Sequence, residues 1–518
     1  MAPSSSALVS FAIPLIFGVF LRLLFRLLKS RQARKPSLPY PPGPAPKFLI
    51  GNAFDVPRFG AYKKFAEWGK EYKSGLIHIS AAGQHIVIVN DRKIAEELFE
   101  KRSVLYNDRP EFPVVPLMGL DYNFTFLKGD AWLAHRRICQ KNFNSSAAKQ
   151  YQPMQTTEVH TFLRGLLNSP SEFTDHYKLL SIALQLSTMY GFTPTSLDDE
   201  IIRVADESSA LSASLLLPGA TLINIFPILR HVPAWVPFAS GQRRAKRCKE
   251  LTELVKALPL NCAKKSVKEG KASPSLVTEY LEQKALGISD LEQEKIINNV
   301  AWTVYNGGSD TTRAATGAFI HIMAKHPEIQ RRAQAEIDRI VGCDRLPTFA
   351  DRTKLPYIDA IYREMFRYHP ITPMAIPHCL NEDDVYEGYF LPKGAWVVPN
   401  IYAMARDENV YSDPSTFHPD RFLDANGELN DDSRVLTYGF GRRVCVGKAV
   451  ASASTWLTIV SFLACFNVGK AKDDFGNEIE IDDEYEDNGA MIQKKHFACS
   501  ITPRSEQARS LILETEFL

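Results

Sequence analysis

Residues 438–447 read YGFGRRVCVG, and after Lys448 the apolar stretch AVASASTWLTIVSFLACF runs to Phe466. Cys445 therefore stands between a glycine-rich loop and the start of an apolar helix. The N-terminus of a helix carries partial positive charge, which favours a thiolate placed there. Arg442 and Arg443 add positive charge, and Gly439, Gly441 and Gly447 allow a flat group to approach the backbone closely. These residues suit a thiolate metal ligand beneath a planar cofactor. The plainer reading is a buried, unreactive cysteine, which is common for this residue type.

Outward from this loop the chain reads as largely helical. Ser289 and Glu292 have the spacing of a capping box, and apolar periodicity runs on to Lys325, before Pro327. Thirty-odd residues would span about 50 Å, enough to cross a domain. On this helix lies Gly307-Gly308-Ser309-Asp310-Thr311-Thr312. Two glycines inside a helix cost about 1 kcal/mol each relative to alanine, so they need a reason. An amphipathic helix is expected over Glu328–Gly342, and another over Tyr357–Tyr368, ended by His369-Pro370. The latter carries Glu364 and Arg367 three apart on one face. Trp132 and Arg136 share a helix face at i and i+4. Leu76–Val89 alternates like a hairpin with a Gly83 turn, and Val385–Asn400 holds short strand-like runs. The expected fold class is mainly α (α+β), with small sheets.

Together these segments resemble the cytochrome P-450 family. Gly441, Arg443, Cys445 and Gly447 match its haem-binding signature F-x-x-G-x-R-x-C-x-G, with Tyr438 where phenylalanine is usual. Glu364 and Arg367 match its ExxR pair, and FHPDRF at 417–422 resembles its F-x-P-E-R-F, Asp420 replacing Glu. Gly307–Thr312 matches [AG]-G-x-[DE]-T-[TS], and Trp132–Arg136 matches W-x-x-x-R. The resemblance implies a helix-rich triangular body with small β-sheets, and haem b with Cys445 as the axial thiolate. Trp132, Arg136 and His378 would contact the propionates. Glu364, Arg367 and Arg421 would form a structural triad, and Asp310 and Thr311 would deliver protons during dioxygen activation. His135 reads as structural, and Arg137 as facing elsewhere. The phenol of Tyr438 would alter the tuning of the iron's reduction potential.

The N-terminus has its own logic. Ala7–Leu21 is apolar apart from Ser10, and Arg22, Arg26, Lys29, Arg31, Arg34 and Lys35 all follow it. This reads as a membrane anchor over 1–29 with the body on the cytosolic side. A cleaved signal peptide would want basic residues before the run and a small-x-small site after it. Residues 30–51 form a basic, proline-rich stalk (Pro36, Pro39, Pro41, Pro42, Pro44, Pro46), and 52–518 the catalytic domain. A proline-rich docking ligand is the other reading of that stretch. Pro218–Phe238 is a second apolar region with four prolines. It either dips into the bilayer beside Arg243, Arg244, Lys246 and Arg247 or forms a buried core hairpin. NFT at Asn123 and NSS at Asn144 match glycosylation sequons, which a cytosolic body leaves unmodified.

Composition narrows the function. Among 518 residues, 61 Lys and Arg nearly balance 59 Asp and Glu, so no global charge draws nucleic acid. The eight cysteines contain no CxxC pair, which argues against zinc ribbons and dithiol chemistry and suits reduced, mostly buried thiols. With no nicotinamide or flavin fingerprint, electrons must come from a separate protein. The family resemblance implies an NADPH–cytochrome P-450 reductase, with cytochrome b5 as a further partner, docking near Arg442. It implies O2 as co-substrate and an endoplasmic reticulum membrane location. By their positions in the family, the resemblance implies that the segments 113–126, 300–305, 371–376 and 488–492 wall the substrate pocket, through Val114, Val115, Leu117, Met118, Val304, Ile371, Met374 and Met491. A lipophilic terpenoid, fatty acyl or polyketide substrate follows. The style most resembles fungal members, which points to a secondary-metabolite pathway. Two alternatives stand beside the monooxygenase: a haem-thiolate isomerase or dehydratase needing no reductase, and a haem-binding membrane protein without turnover.

Overall fold

The computed structural model describes residues 38–517 apart from 49, 82, 218 and 284–287. The expected anchor and the start of the stalk lie outside the described residues. Helices dominate, as the periodicity implied. The central one runs Asp290–Lys325, 36 residues, with Ser289 accepting a hydrogen bond from the Glu292 N–H at 3.3 Å. At 1.5 Å per residue it is about 54 Å long. From Ile297 to Ala324 its buried residues fall on every face, so it passes through the interior rather than lying on a surface. It packs against the helices Phe173–Tyr190, Gly129–Phe143 and Lys448–Cys465.

The expected helices at 328–342 and 357–368 are found as Pro327–Ile340 and Pro356–Tyr368, each with proline in its first turn. The expected hairpin pairs Leu76–Ala81 with Gln84–Val89, and Gly83 turns at φ 85°. It joins Trp396–Pro399 in parallel, and His378–Cys379 closes the four-stranded sheet.

Lys448–Cys465 is the one helix among the described residues apolar and long enough to cross a membrane. It is mostly buried, with Trp456, Val460 and Phe462 having no accessible surface. It is therefore a core helix, and its apolar sequence serves packing. All eight cysteines are free, but Cys262 and Cys343 are exposed, so the thiols are less uniformly buried than expected.

Two regions differ from a simple reading. The second half of the proline-rich stretch lies along the body rather than standing clear of it. The Pro39 carbonyl accepts from the Phe390 N–H at 2.8 Å and the Pro42 carbonyl from the His78 N–H at 3.0 Å. Tyr40 stacks on His78 with ring centroids 4.5 Å apart. The second region follows Pro218. It is not a buried core hairpin but a set of short helical turns, with Leu222 61%, Trp235 81% and Phe238 98% exposed. Its prolines interrupt every attempt at regular structure, so it has no continuous apolar face to bury.

The Glu364 triad forms. Arg367 grips the carboxylate twice, at 2.6 and 2.8 Å, and the Arg421 Nε joins at 3.1 Å. Glu364 is fully buried. The remaining guanidinium N–H groups reach backbone carbonyls at Ala405, Ser412, Asp413, Pro414 and Thr416. An irregular strand is thereby threaded onto two cations. Asp420 stands outside the triad and pairs with Arg332.

Removing one partner from a buried ion pair leaves an uncompensated charge. Glu364→Leu is expected to lower folding stability by ~3–5 kcal/mol, and Glu364→Leu combined with Arg367→Met by less than that. Urea unfolding of both variants checks the order; a double variant weaker than the single one contradicts it.

Candidate active site

The cysteine loop is built from two tight turns. Leu436–Tyr438 and Gly441–Arg443 are short 3-10 turns, separated by Gly439 at φ 77°. The Cys445 N–H donates to the Tyr438 carbonyl at 2.9 Å and closes the loop. Gly447 then caps the Lys448–Cys465 helix. Gly441 also has positive φ, and a Cβ there would sit 1.9 Å from the Phe99 carbonyl oxygen. Its missing side chain makes room for protein backbone, not for the flat group that the sequence suggested. At Gly447 a Cβ would meet only the Cys445 sulfur, at 4.0 Å.

Two observations on Cys445 conflict at first sight. Its side chain is accessible to solvent, yet burial pushes its pKa up. Both hold if the thiol opens into an interior hollow ringed by protein. The backbone N–H groups of Gly447 and Lys448 point at the sulfur and, with the charge of Arg136, favour the thiolate against that burial. Tyr438 does not spend its hydroxyl on the sulfur. It is engaged with the Tyr362 hydroxyl at 3.0 Å.

Three guanidiniums cluster beside the loop. Arg443 donates to the Asn107 and Leu127 carbonyls and lies over the Trp132 ring, 4.2 Å from its centroid. Arg136 donates to the Val444 carbonyl at 2.6 Å. Arg109 donates to the Ile376 and Pro377 carbonyls at 2.6 and 2.9 Å, and its Nε has no partner. Among the described residues, every hydrogen bond of these three guanidiniums goes to a backbone carbonyl. Burial, then the charges of Arg443 and Arg136, lower the Arg109 pKa to about 9. Burial lowers Arg443 to about 10, with Asp108 opposing the fall and Arg136 adding to it. His378 is held well below its usual range by burial and by Arg109, and its Nδ1 donates to the Tyr106 carbonyl at 2.7 Å. Arg137 is exposed, as expected, and His135 is buried against its own helix, bonded to the Ala131 carbonyl.

Cations grouped this closely, with no carboxylate hydrogen-bonded to any of them, are costly. A flat group carrying two carboxylates and a thiolate-seeking metal matches this donor set, which is the chemistry of haem. The residues present fit that cofactor.

The long helix supplies the other wall. Gly307 is exposed although the helix around it is interior, so it faces the same kind of internal space. No atom lies within 4 Å of a Cβ at Gly307, whereas one at Gly308 would strike the Gln185 amide at 2.4 Å. Gly307 is thus the open glycine, and Gly308 admits the crossing helix. The Thr311 hydroxyl donates to the Gly307 carbonyl at 2.7 Å, which leaves its oxygen free to accept. Burial raises the Asp310 pKa, with Arg313 opposing. Of the expected wall residues, Val114, Met118 and Val300 have no accessible surface and Val115 and Ile371 almost none, so they pack in the core. Leu117, Val304, Met374 and Met491 keep open surface, as do Phe112, Phe126 and Ile376.

The sequence profile of cytochrome P-450 matches residues 41–496. The chain belongs to the cytochrome P-450 family. It is 37% identical to cytochrome P-450 monooxygenase 98 of Postia placenta over 99% of both chains. A cytochrome P-450 monooxygenase of Armillaria gallica is 33% identical over the whole of both chains. Cytochrome P-450 monooxygenase ple1 of Rhodocybe pseudopiperita is 35% identical, covering 94% of this chain and 93% of its own. This cytochrome P-450 is accordingly a haem-thiolate monooxygenase that uses O2 and a redox partner and acts on a lipophilic substrate.

Arg109 is the residue that sequence reasoning missed. Its signal was faint: an arginine before Pro110, at the edge of the apolar run FPVVPLMGL. In the haem-free protein Arg109→Gln is expected to leave thermal stability unchanged or raised, because a like charge is removed. In the loaded protein the same change is expected to speed haem loss to apomyoglobin several-fold. A large drop in apoprotein stability without faster haem transfer contradicts the cationic-cradle reading.

Proposed function

We propose that Cys445 would supply the thiolate that holds this monooxygenase's haem iron, with Trp132, Arg109, Arg136, His378 and Arg443 placed to hold the propionates. When bound, thiolate-ligated haem supplies dioxygen activation and insertion of one oxygen atom into a substrate C–H bond. The supporting observation is the pairing of an accessible thiol with three neighbouring arginines whose guanidiniums donate only to backbone carbonyls. The Gly447 and Lys448 amides temper the sulfur's charge, while Gly441 and Gly447 let the loop close beneath it. Asp310 takes protons inward, since burial raises its affinity for them, and Thr311 accepts through its free lone pairs. Glu364, Arg367 and Arg421 fix the strand behind the loop and do no chemistry.

Electrons come from an NADPH–cytochrome P-450 reductase, with cytochrome b5 as a second donor, docking on the face that carries exposed Arg442. The pocket's open apolar residues suit a terpenoid or polyketide, and the fungal relatives favour secondary metabolism. The domain plan is an anchor at 1–29, a stalk at 30–51 and the catalytic domain at 52–518, placed on the cytosolic face of the endoplasmic reticulum. The exposed Leu222–Phe238 segment, followed by Arg243, Arg244, Lys246 and Arg247, supports a body that rests on the bilayer.

The carbon monoxide difference spectrum of the reduced protein tests the ligand. A red-shifted thiolate-type Soret band is expected in wild type and absent in Cys445→Ser; the same band in both excludes this cysteine. For the membrane seat, Trp235→Ser with Phe238→Ser, in protein lacking residues 1–29, is expected to weaken binding to phosphatidylserine-containing vesicles roughly tenfold or more, given the apolar area removed. Unchanged vesicle sedimentation refutes it.

A further inference from the structure

One buried cluster lies away from the cysteine loop and has no part in the chemistry above. Tyr485–Asp487 pairs with Ile492–Lys494 as a small antiparallel hairpin whose turn is Asn488–Met491. The turn is tight: the Asn488 side chain accepts from the Ala490 and Met491 N–H groups at 3.1 and 2.9 Å. It abuts Leu217 at Gly489, and Asp487 accepts from the Gly60 N–H at 2.6 Å. The Ile492 N–H donates to the Ile371 carbonyl at 2.9 Å, joining this hairpin to the 371–376 segment.

The base of the hairpin is held differently. The Tyr485 hydroxyl meets His321 Nδ1 at 3.0 Å, and His321 Nε2 meets the Asp482 carbonyl at 3.0 Å. A carbonyl only accepts, so Nε2 carries the proton and Nδ1 accepts from the Tyr485 hydroxyl. The opposite side of the Tyr485 ring stacks on His369 at 4.2 Å and 28°. Lys494, directly across the ladder, has a fully buried side chain whose ammonium donates to Asp482 and to the Glu484 carbonyl. Tyr485 is thus clamped between the long helix, through His321, and the end of the Pro356–Tyr368 helix, through His369.

We propose that Tyr485 is a positioning residue for substrate selection, setting how far the turn at 488–492 reaches into the pocket. This rests on the reading that 488–492 is a pocket wall. The long helix and the 371–376 segment border the same pocket. One side chain therefore ties the hairpin to the long helix and to His369, just before the 371–376 segment, and the tip that carries Met491 is aimed by contacts at its base. Loss of the hydroxyl keeps the ring stack and frees only the hydrogen bond to His321, so the hairpin shifts without unfolding.

The test uses two iron-binding probes in the haem-loaded protein, read by the spectral shift each produces. Imidazole reports only on the iron, whereas clotrimazole also presses on the pocket walls. Tyr485→Phe is expected to weaken clotrimazole about tenfold, the scale of one buried hydrogen bond, while the imidazole Kd and the carbon monoxide band stay unchanged. His321→Leu is expected to do the same, and the double variant no more than either alone. Met491→Trp separates the two readings, since a bulky tip must change clotrimazole affinity if 488–492 is a wall. An effect of Met491→Trp with none from Tyr485→Phe overturns the positioning role. No effect of Met491→Trp overturns the wall itself. Equal weakening of both probes by Tyr485→Phe marks general damage and also overturns the proposal.

Discussion

Mutual repulsion among Arg109, Arg136 and Arg443 is the constraint around which the centre of the molecule is arranged. One buried and two half-buried guanidiniums are satisfied by backbone carbonyls and by one aromatic face, with none of them hydrogen-bonded to a carboxylate. Such an arrangement works against folding. The structure tolerates it because the arginines come from separate supports: the loop before Pro110, the Gly129–Phe143 helix and the cysteine loop. Other arginines are paired directly with carboxylates, as Arg367 is with Glu364 and Arg352 with Asp359.

The glycines show the same division of labour. Gly307 and Gly308 look equivalent in sequence, and so do Gly441 and Gly447. In each pair one glycine borders open space or the sulfur, while the other admits a neighbouring part of the chain: Gln185 at Gly308 and the Phe99 carbonyl at Gly441. A motif thus records two constraints at once, a functional cavity and the packing that frames it.

Legibility in the sequence followed the range of each interaction. The long helix, the hairpin and the ends of the helices at 327–340 and 356–368 were readable, because caps, prolines and periodicity act within a few residues. Cys445, Arg443 and the Glu364 pair were readable as a pattern of types and spacings. Arg109 was not, because the carbonyls that hold its guanidinium, at Ile376 and Pro377, lie more than 260 positions away. Val114 and Met118 were assigned to the pocket wall by the position of their segment in the family resemblance, which does not tell a side chain facing a cavity from one facing the core. The phenol of Tyr438 posed a question whose answer, Tyr362, lies on another helix.

The stapling of the proline stretch to the hairpin has a geometric consequence. Pro39 and Pro42 are fastened to the body, so only about ten residues separate residue 29 from the first fastened one, and they could reach no farther than roughly 35 Å. A globular domain moored that closely loses most of its freedom to roll. If residues 1–29 sit in a bilayer, the same few faces stay turned toward the lipid, and a greasy substrate meets the protein by lateral diffusion in two dimensions rather than by a search through water.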